Sequence, residues 1–223
     1  LPKAWDVARG KGVGVAVLDT GIAYEDQGDF RQVPDLKGVK FAKGYDFVNG
    51  TEHPDDDHGH GTHVAGTIAA LNNKGVGVVG VLPNNKVKLH IVRVFGDDGA
   101  WAYSSTLANA ALKCQAAGSN IISMSLGGGG QSQTERQTFD NLRAAGMLSI
   151  AAAGNGGNNA ISYPAGYESV MSVAALDADK AHASFSQTNA DVEIAAPGVL
   201  VLSTVPAGHG MMGQLAVGTE SYQ

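Results

Sequence analysis

Continuous apolar runs of strand length alternate with helical stretches along most of this chain. That alternation constrains the fold more than any single motif. Val13-Gly14-Val15-Ala16-Val17-Leu18 is a short apolar run closed by Asp19. Leu89 to Val94, Asn120 to Met124, Met147 to Ala152, Val170 to Ala174 and Val192 to Ala195 repeat the pattern. Thr62 to Leu71 has helical spacing instead, with Val64, Ala65, Ile68 and Leu71 on one face. Two more helices are expected, one from Ser104 or Ser105 to Ala117, stopped by Gly118, and one from Thr134 to Ala145, stopped by Gly146. Strands that are apolar throughout are buried on both faces. The expectation is therefore a three-layer α/β fold, with a parallel central sheet and helices on both faces. Ligands of such sheets bind beyond the carboxyl ends of the strands. Asp19, Ser125 and Asn155 all fall at such ends.

Composition sets wide bounds around this pattern. A chain of 223 residues, 43% hydrophobic and 16% charged, has an ample core for one large domain or two small ones. Its 31 glycines are scattered among the apolar runs, which reads as tight turns rather than low complexity. A formal net charge of −6 argues against nucleic acid as a partner. No segment is long enough to cross a bilayer, so no membrane partner is expected. The chain opens on Leu1 and shows no signal peptide, which fits a processed or trimmed form. The single cysteine, Cys114, reads as a small buried side chain on a helix.

Four short segments carry chemistry. His60-Gly61-Thr62-His63-Val64-Ala65-Gly66 places a histidine where a glycine-rich loop becomes a helix. His60 has room for close approach and reads as a general base. His63 reads as a packed, hydrogen-bonded histidine of the first turn, and His58 as an exposed loop residue. Asp19, at a strand end before Thr20-Gly21, can fix the tautomer of a histidine and stabilise its charged form; alone it reads more readily as a turn aspartate. Asn155, in Ala153-Gly154-Asn155, can offer a side-chain amide to a developing oxyanion; alone it fits a glycine-rich turn. Ser123-Met124-Ser125-Leu126-Gly127-Gly128 ends a strand with small residues, and its edge could pair with an extended peptide. A rival reading gathers Asp55, Asp56, Asp57, His58, His60 and His63 into a transition-metal site, though the spacing matches no zinc signature.

Taken together, these segments resemble the subtilisin-like serine proteases, the subtilases. Asp19-Thr20-Gly21 is similar to the family's aspartate motif, and His60 to Gly66 to its histidine motif. Ser123 to Gly128 resembles its substrate-binding strand, and Ala153-Gly154-Asn155 its oxyanion asparagine. Ser162-Tyr163-Pro164-Ala165 and Ala196-Pro197-Gly198 are similar as well. The resemblance implies a secreted endopeptidase, made with a propeptide, acting on protein or peptide substrates and binding structural calcium. It implies Asp19, His60 and Asn155 as catalytic residues. Ser125, Leu126 and Gly127 would line one side of the peptide groove, and Ala152 and Gly154 the other. Leu71-Asn72-Asn73 followed by Gly75-Val76-Gly77-Val78 resembles the calcium loop. Asp35, Leu71, Asn73, Val76 and Val78 are its implied ligands, oxygen donors that suit calcium.

The family's nucleophile motif, Gly-Thr-Ser opening a helix, is not matched. The chain offers Gly218-Thr219-Glu220-Ser221 near its end at Gln223. Residues 1–210 are therefore expected to form a catalytic domain short of its C-terminal helices, and 211–223 a tail. Three readings stand side by side: the tail starts an inserted domain that precedes the serine; Ser221 is the nucleophile; or the chain is inactive and binds peptide or propeptide. Loss of terminal helices would expose apolar sheet surface and favour self-association.

Overall fold

The computed structural model describes residues 1–72, 75, 77–84, 86–96, 104–206 and 219–222. In chain order its elements are α1 (Pro2–Trp5), β1 (Gly14–Asp19), a 3-10 turn (Pro34–Leu36), β2 (Lys40–Phe41), β3 (Tyr45–Asp46), α2 (His60–Ala69), β4 (Lys88–Arg93) and α3 (Ser104–Ala116). Then follow β5 (Ile121–Met124), α4 (Gln133–Ala144), β6 (Leu148–Ala152), β7 (Val170–Leu176), β8 (Val192–Pro197), β9 (Val201–Thr204) and β10 (Thr219–Tyr222). The main sheet runs β2-β4-β1-β5-β6-β7-β8, with β3 also pairing β4. Every pairing in it is parallel. The expected α/β architecture is the one observed.

The apolar strands split their side chains between two cores, which is why they read as continuous rather than alternating. On β1, Val15 and Val17 pack beneath α2 with Leu89 and Ile91. Ala16 and Leu18 face the other way, onto α3 and α4, with Val92, Ile122, Phe139 and Leu142. Each fully buried Leu, Val, Ile or Phe side chain contributes about 1.5–3 kcal/mol. Cys114 is fully buried in the second core, where burial pushes its thiol pKa up; it is packing, as expected.

Helix boundaries differ from the pattern by one or two residues, and for a reason. Helix α4 starts at Gln133 because Ser132 caps it, its hydroxyl accepting from the Glu135 amide at 3.4 Å. Helix α2 starts at His60 rather than Thr62, since the first turn of a helix needs no apolar face. Beyond β8 the chain makes a second, antiparallel sheet of β9 and β10. Strand β9 lies on α2: Ser203 Oγ donates to the His63 carbonyl at 2.7 Å and Thr204 Oγ1 to the Thr62 carbonyl at 3.2 Å. Among the described residues no helix follows α4, and Ile194, Leu200 and Leu202 are exposed apolar side chains. Most of the expected tail falls outside the described residues.

Candidate active site

Strands β1, β5 and β6 are successive neighbours in the sheet, so their carboxyl ends lie side by side. Asp19 ends β1, Ser125-Leu126-Gly127 leaves β5, and Ala153-Gly154-Asn155 leaves β6. Helix α2 delivers His60 to the same rim. His60 Nδ1 donates to Asp19 Oδ1 at 2.7 Å. The aspartate side chain is 2% exposed and the imidazole 27%, which leaves the second ring nitrogen, Nε2, as the acceptor of the neutral ring. Thr20 N–H also donates to Asp19 Oδ1, at 2.8 Å, fixing the carboxylate from its own backbone. Gly61 permits this approach: a Cβ there would strike the Gly21 carbonyl and crowd Asp19.

Electrostatics follow the geometry. Burial alone would lower the His60 pKa, but the charge of Asp19, its hydrogen bond and the charge of Asp56 outweigh that cost, and the net shift is upward. An upward shift marks an imidazolium stabilised by its surroundings, as a base that must hold a proton in mid-reaction requires.

Asp56, Asp57 and His63 of this region have partners outside the acid–histidine cluster, whereas Asp55 Oδ1 is buried without a hydrogen-bond partner among the described residues. Asp56 accepts from Thr20, His58, Gly59 and Thr62. Asp57 takes both oxygens to Arg93, at 2.9 and 3.0 Å. Asp55 is buried, and burial with the charge of Glu25 pushes its carboxyl up to about 7. His63 donates from Nε2 to the Val201 carbonyl at 3.0 Å and is buried, the packed role expected of it. His58 departs from expectation. It is half-buried rather than exposed, and its Nδ1 accepts from the His60 amide at 3.4 Å. Among the described residues no group of three or more His, Cys, Asp or Glu is placed to hold a metal ion.

A cavity of about 380 Å³ runs from His60 past Ser125 to Gly154 and Asn155, walled by Val64, Ile68 and Ala174. A second, of about 410 Å³, opens between Ser125-Leu126-Gly127 and Ala152, Gly154 and Asn155, closed by Ser162 and Gln187. All five residues expected to line the peptide groove border this space. Gly154 has φ 112°, and a Cβ there would collide with the Gln187 amide; only glycine fits this turn. Gln187 is 6% exposed and donates to the Ala160 carbonyl. Ser221 lies on β10, its backbone opposite Leu202, in a strand and not at a helix start.

Away from the cleft, Asp35, Leu71 and Val78 are brought together. Asp35 is 3% exposed; its Oδ2 accepts from Val78 N–H at 2.8 Å and its carbonyl from Leu71 N–H at 2.9 Å. Gly77, at φ 66°, lies directly against the carboxylate, where a Cβ would collide with it. Asn73 and Val76 lie outside the described residues.

Sequence reasoning missed the buried Asp56 network, the Arg93–Asp57 pair and Gln187. A carboxylate four residues ahead of a helix start was the available signal for Asp56.

Known proteins resemble this chain over most of its length. The family model described as the subtilase family matches residues 10–221. Subtilisin DY of Bacillus licheniformis is 43% identical over 203 residues, covering 89% of this chain and 69% of its own length. Subtilisin BL of Lederbergia lenta is 45% identical over 200 residues, covering 88% and 68%. The solved psychrophilic subtilisin-like protease of Pseudoalteromonas sp. AS-11 has a TM-score of 0.78 at 42% identity, covering 88% of this chain and 44% of that one.

Proposed function

The chain belongs to the subtilase family of serine endopeptidases, and from that premise we propose that it cleaves peptide bonds through an acyl-enzyme, outside the cell. The observation that carries the reading is the 2.7 Å contact between His60 Nδ1 and the buried Asp19 carboxylate. His60 Nε2 takes the proton of a serine hydroxyl and returns it to the leaving amine. Asp19 keeps the ring in the tautomer that makes Nε2 basic, and stabilises the imidazolium. Asn155 donates its amide to the oxyanion; losing one such donor costs about 2.7–4 kcal/mol of transition-state stabilisation, a value measured in a related protease. Substrate lies along Ser125-Leu126-Gly127 in extended form, facing Ala152 and Gly154, and its leading side chain enters the second cavity.

Ser221 is the serine proposed as nucleophile. A second reading, an inactive chain that binds peptide or propeptide in the same groove, is favoured by one observation: β10 is a strand and supplies no helix N-terminus behind Ser221. Labelling with a fluorophosphonate, mapped by mass spectrometry, separates the two. An adduct on Ser221 supports hydrolysis by this chain; a folded protein with no adduct refutes Ser221 and leaves either a serine that follows an inserted domain or the binding reading.

Calcium is proposed beside Asp35, a buried carboxylate whose oxygens are the hard donors that suit such a cation. Asp35, Leu71 and Val78 would hold it, together with Asn73 and Val76. Bound there, calcium would supply charge that links Leu71 and Val78 to the 3-10 turn. The exposed Ile194, Leu200 and Leu202 support self-association of this chain.

A further inference from the structure

We propose that Asp56 is the positioning residue of this site: its carboxylate locks the exit of β1 to the start of α2, in the register that brings Asp19 and His60 together. The inference rests on the reading of those two residues as a working pair.

Asp56 is 0% exposed. An ionised carboxylate sealed from water is very costly unless its oxygens are hydrogen-bonded, and here five donors converge on it. Oδ1 accepts from Thr20 Oγ1 at 2.9 Å, His58 N at 3.1 Å and Gly59 N at 2.8 Å. Oδ2 accepts from Thr62 N at 2.9 Å and Thr62 Oγ1 at 2.5 Å. Burial pushes the Asp56 pKa up, and the donors of Thr62, Gly59 and Thr20 offset only part of that, so the net shift is upward. With every neighbour donating, the cage fits the anion.

A carboxylate that merely capped α2 would bond the first free amides of the helix and stop there. Asp56 goes further. Thr20, which donates to it, accepts in turn from the Gly61 amide at 2.9 Å. Thr62, which also donates to it, accepts from the Ala23 amide at 3.0 Å. Thr20 is the residue after Asp19, and Gly59 and Gly61 flank His60. One carboxylate therefore fixes the backbone on both sides of the base and beside its acid. Displacements of about 1 Å in such a constellation can cost about 10²-fold in rate, so the gain from a rigid joint is large. The titratable groups around His60 are Asp19 on β1, Asp56 and His58 on the preceding loop, and His63 one turn on.

The test is NMR of the His60 ring in the whole chain, in the parent and in Asp56→Ala, Asp56→Asn and Thr20→Val, each with a thermal melt. The readout needs no turnover, so its failure is separate from failure of the protease reading, which phosphonate labelling addresses. The parent should show a far-downfield Nδ1 proton, held by Asp19. Asp56→Ala should lose that signal, and His60 should titrate at lower pH. Thr20→Val cuts only the strand-to-helix link and should lose or broaden the signal with Asp56 still in place. Asp56→Asn keeps an acceptor oxygen without the charge; it should retain the signal while His60 titrates lower. A folded Asp56→Ala or Thr20→Val protein with the parent's signal and titration overturns the proposal, and so does loss of the signal in folded Asp56→Asn. If Asp56→Ala does not fold, Thr20→Val decides alone.

Discussion

Replacing Asp19 with Asn tests the core of the site with almost no change in shape. The wild-type carboxylate accepts from His60 Nδ1 at 2.7 Å and is shielded from water, so two losses follow. The first is the hydrogen bond to the imidazolium of the transition state; a bond to a charged group is worth about 1.5–3 kcal/mol. The second is the tautomer. Thr20 N–H and His60 Nδ1 share Oδ1, so an Asn amide turned to put its NH₂ in that place faces Nδ1 and favours a ring protonated on Nε2, which cannot take the serine's proton. A neutral bond holding that wrong form adds about 0.5–1.5 kcal/mol. The sum, about 2–4.5 kcal/mol, is about 30- to 2,000-fold in rate at 1.36 kcal/mol per decade. The same change in another serine protease costs about 10⁴-fold, so this range is on the low side. The assay is steady-state hydrolysis of a chromogenic peptide, with kcat falling and KM nearly unchanged. His60 should titrate lower, because burial then acts against a weaker opposing charge. An Asp19→Asn enzyme within threefold of the parent, or an unmoved His60 titration, would refute the reasoning.

Replacing His60 with Ala should abolish peptidase activity while a peptide aldehyde or product peptide still binds, measured by calorimetry; unchanged turnover dismisses the pair. The kcat/KM profile should rise with pH through an apparent pKa above the ordinary histidine value of about 6.5, since His60 must be neutral to act and its pKa is raised. The same shift has a stability sign: the pair's contribution is complete below the unfolded pKa and is lost as pH rises through the folded one, which urea titrations across that window would detect. A chelator should lower Tm and inactivate slowly, and Asp35→Asn should reduce the stabilisation by added calcium; instant loss of activity restored by zinc would indicate a catalytic metal instead. The roomy groove predicts faster cleavage after Phe or Leu than after Lys, and a preference for Lys in competition assays would sink that expectation.

The parts legible in the sequence were those that a local pattern encodes. Leu18 and Val17 look alike in the chain because each is buried, though in different cores; hence β1 was readable as doubly covered without knowing what covered it. Short strands were not readable: Lys40–Phe41 and Tyr45–Asp46 are strands only because β4 lies beside them. Ser132 was overlooked as a cap because the apolar period of α4 begins later. His58 was misread as exposed because nothing local to it records the cleft it lines with Phe95 and Leu126. Asp56 sat in an acidic run that reads as a solvated loop or a metal cluster, and only the fold separates its role from that of Asp57 beside it.

That separation follows from geometry rather than residue type. Asp55, Asp56 and Asp57 are consecutive in a non-helical segment, so their side chains leave in different directions and meet different parts of the protein. Asp57 finds the guanidinium of Arg93, whose Nη1 also holds the Asp55 carbonyl at 3.1 Å and whose Nε holds the Phe95 carbonyl at 3.1 Å. Asp56 finds the amides at the start of α2. The loop ahead of His60 is thereby clamped from β4 on one side and from β1 on the other. Neighbouring strands lie about 4.8 Å apart, so β1, β5 and β6 place Asp19, Ser125 and Asn155 within about 10 Å across the sheet. The sheet sets that spacing, and the residues of the rim only have to be held in place on it. The two clamps do so for His60, the one member of the constellation that comes from a helix and not from a strand end.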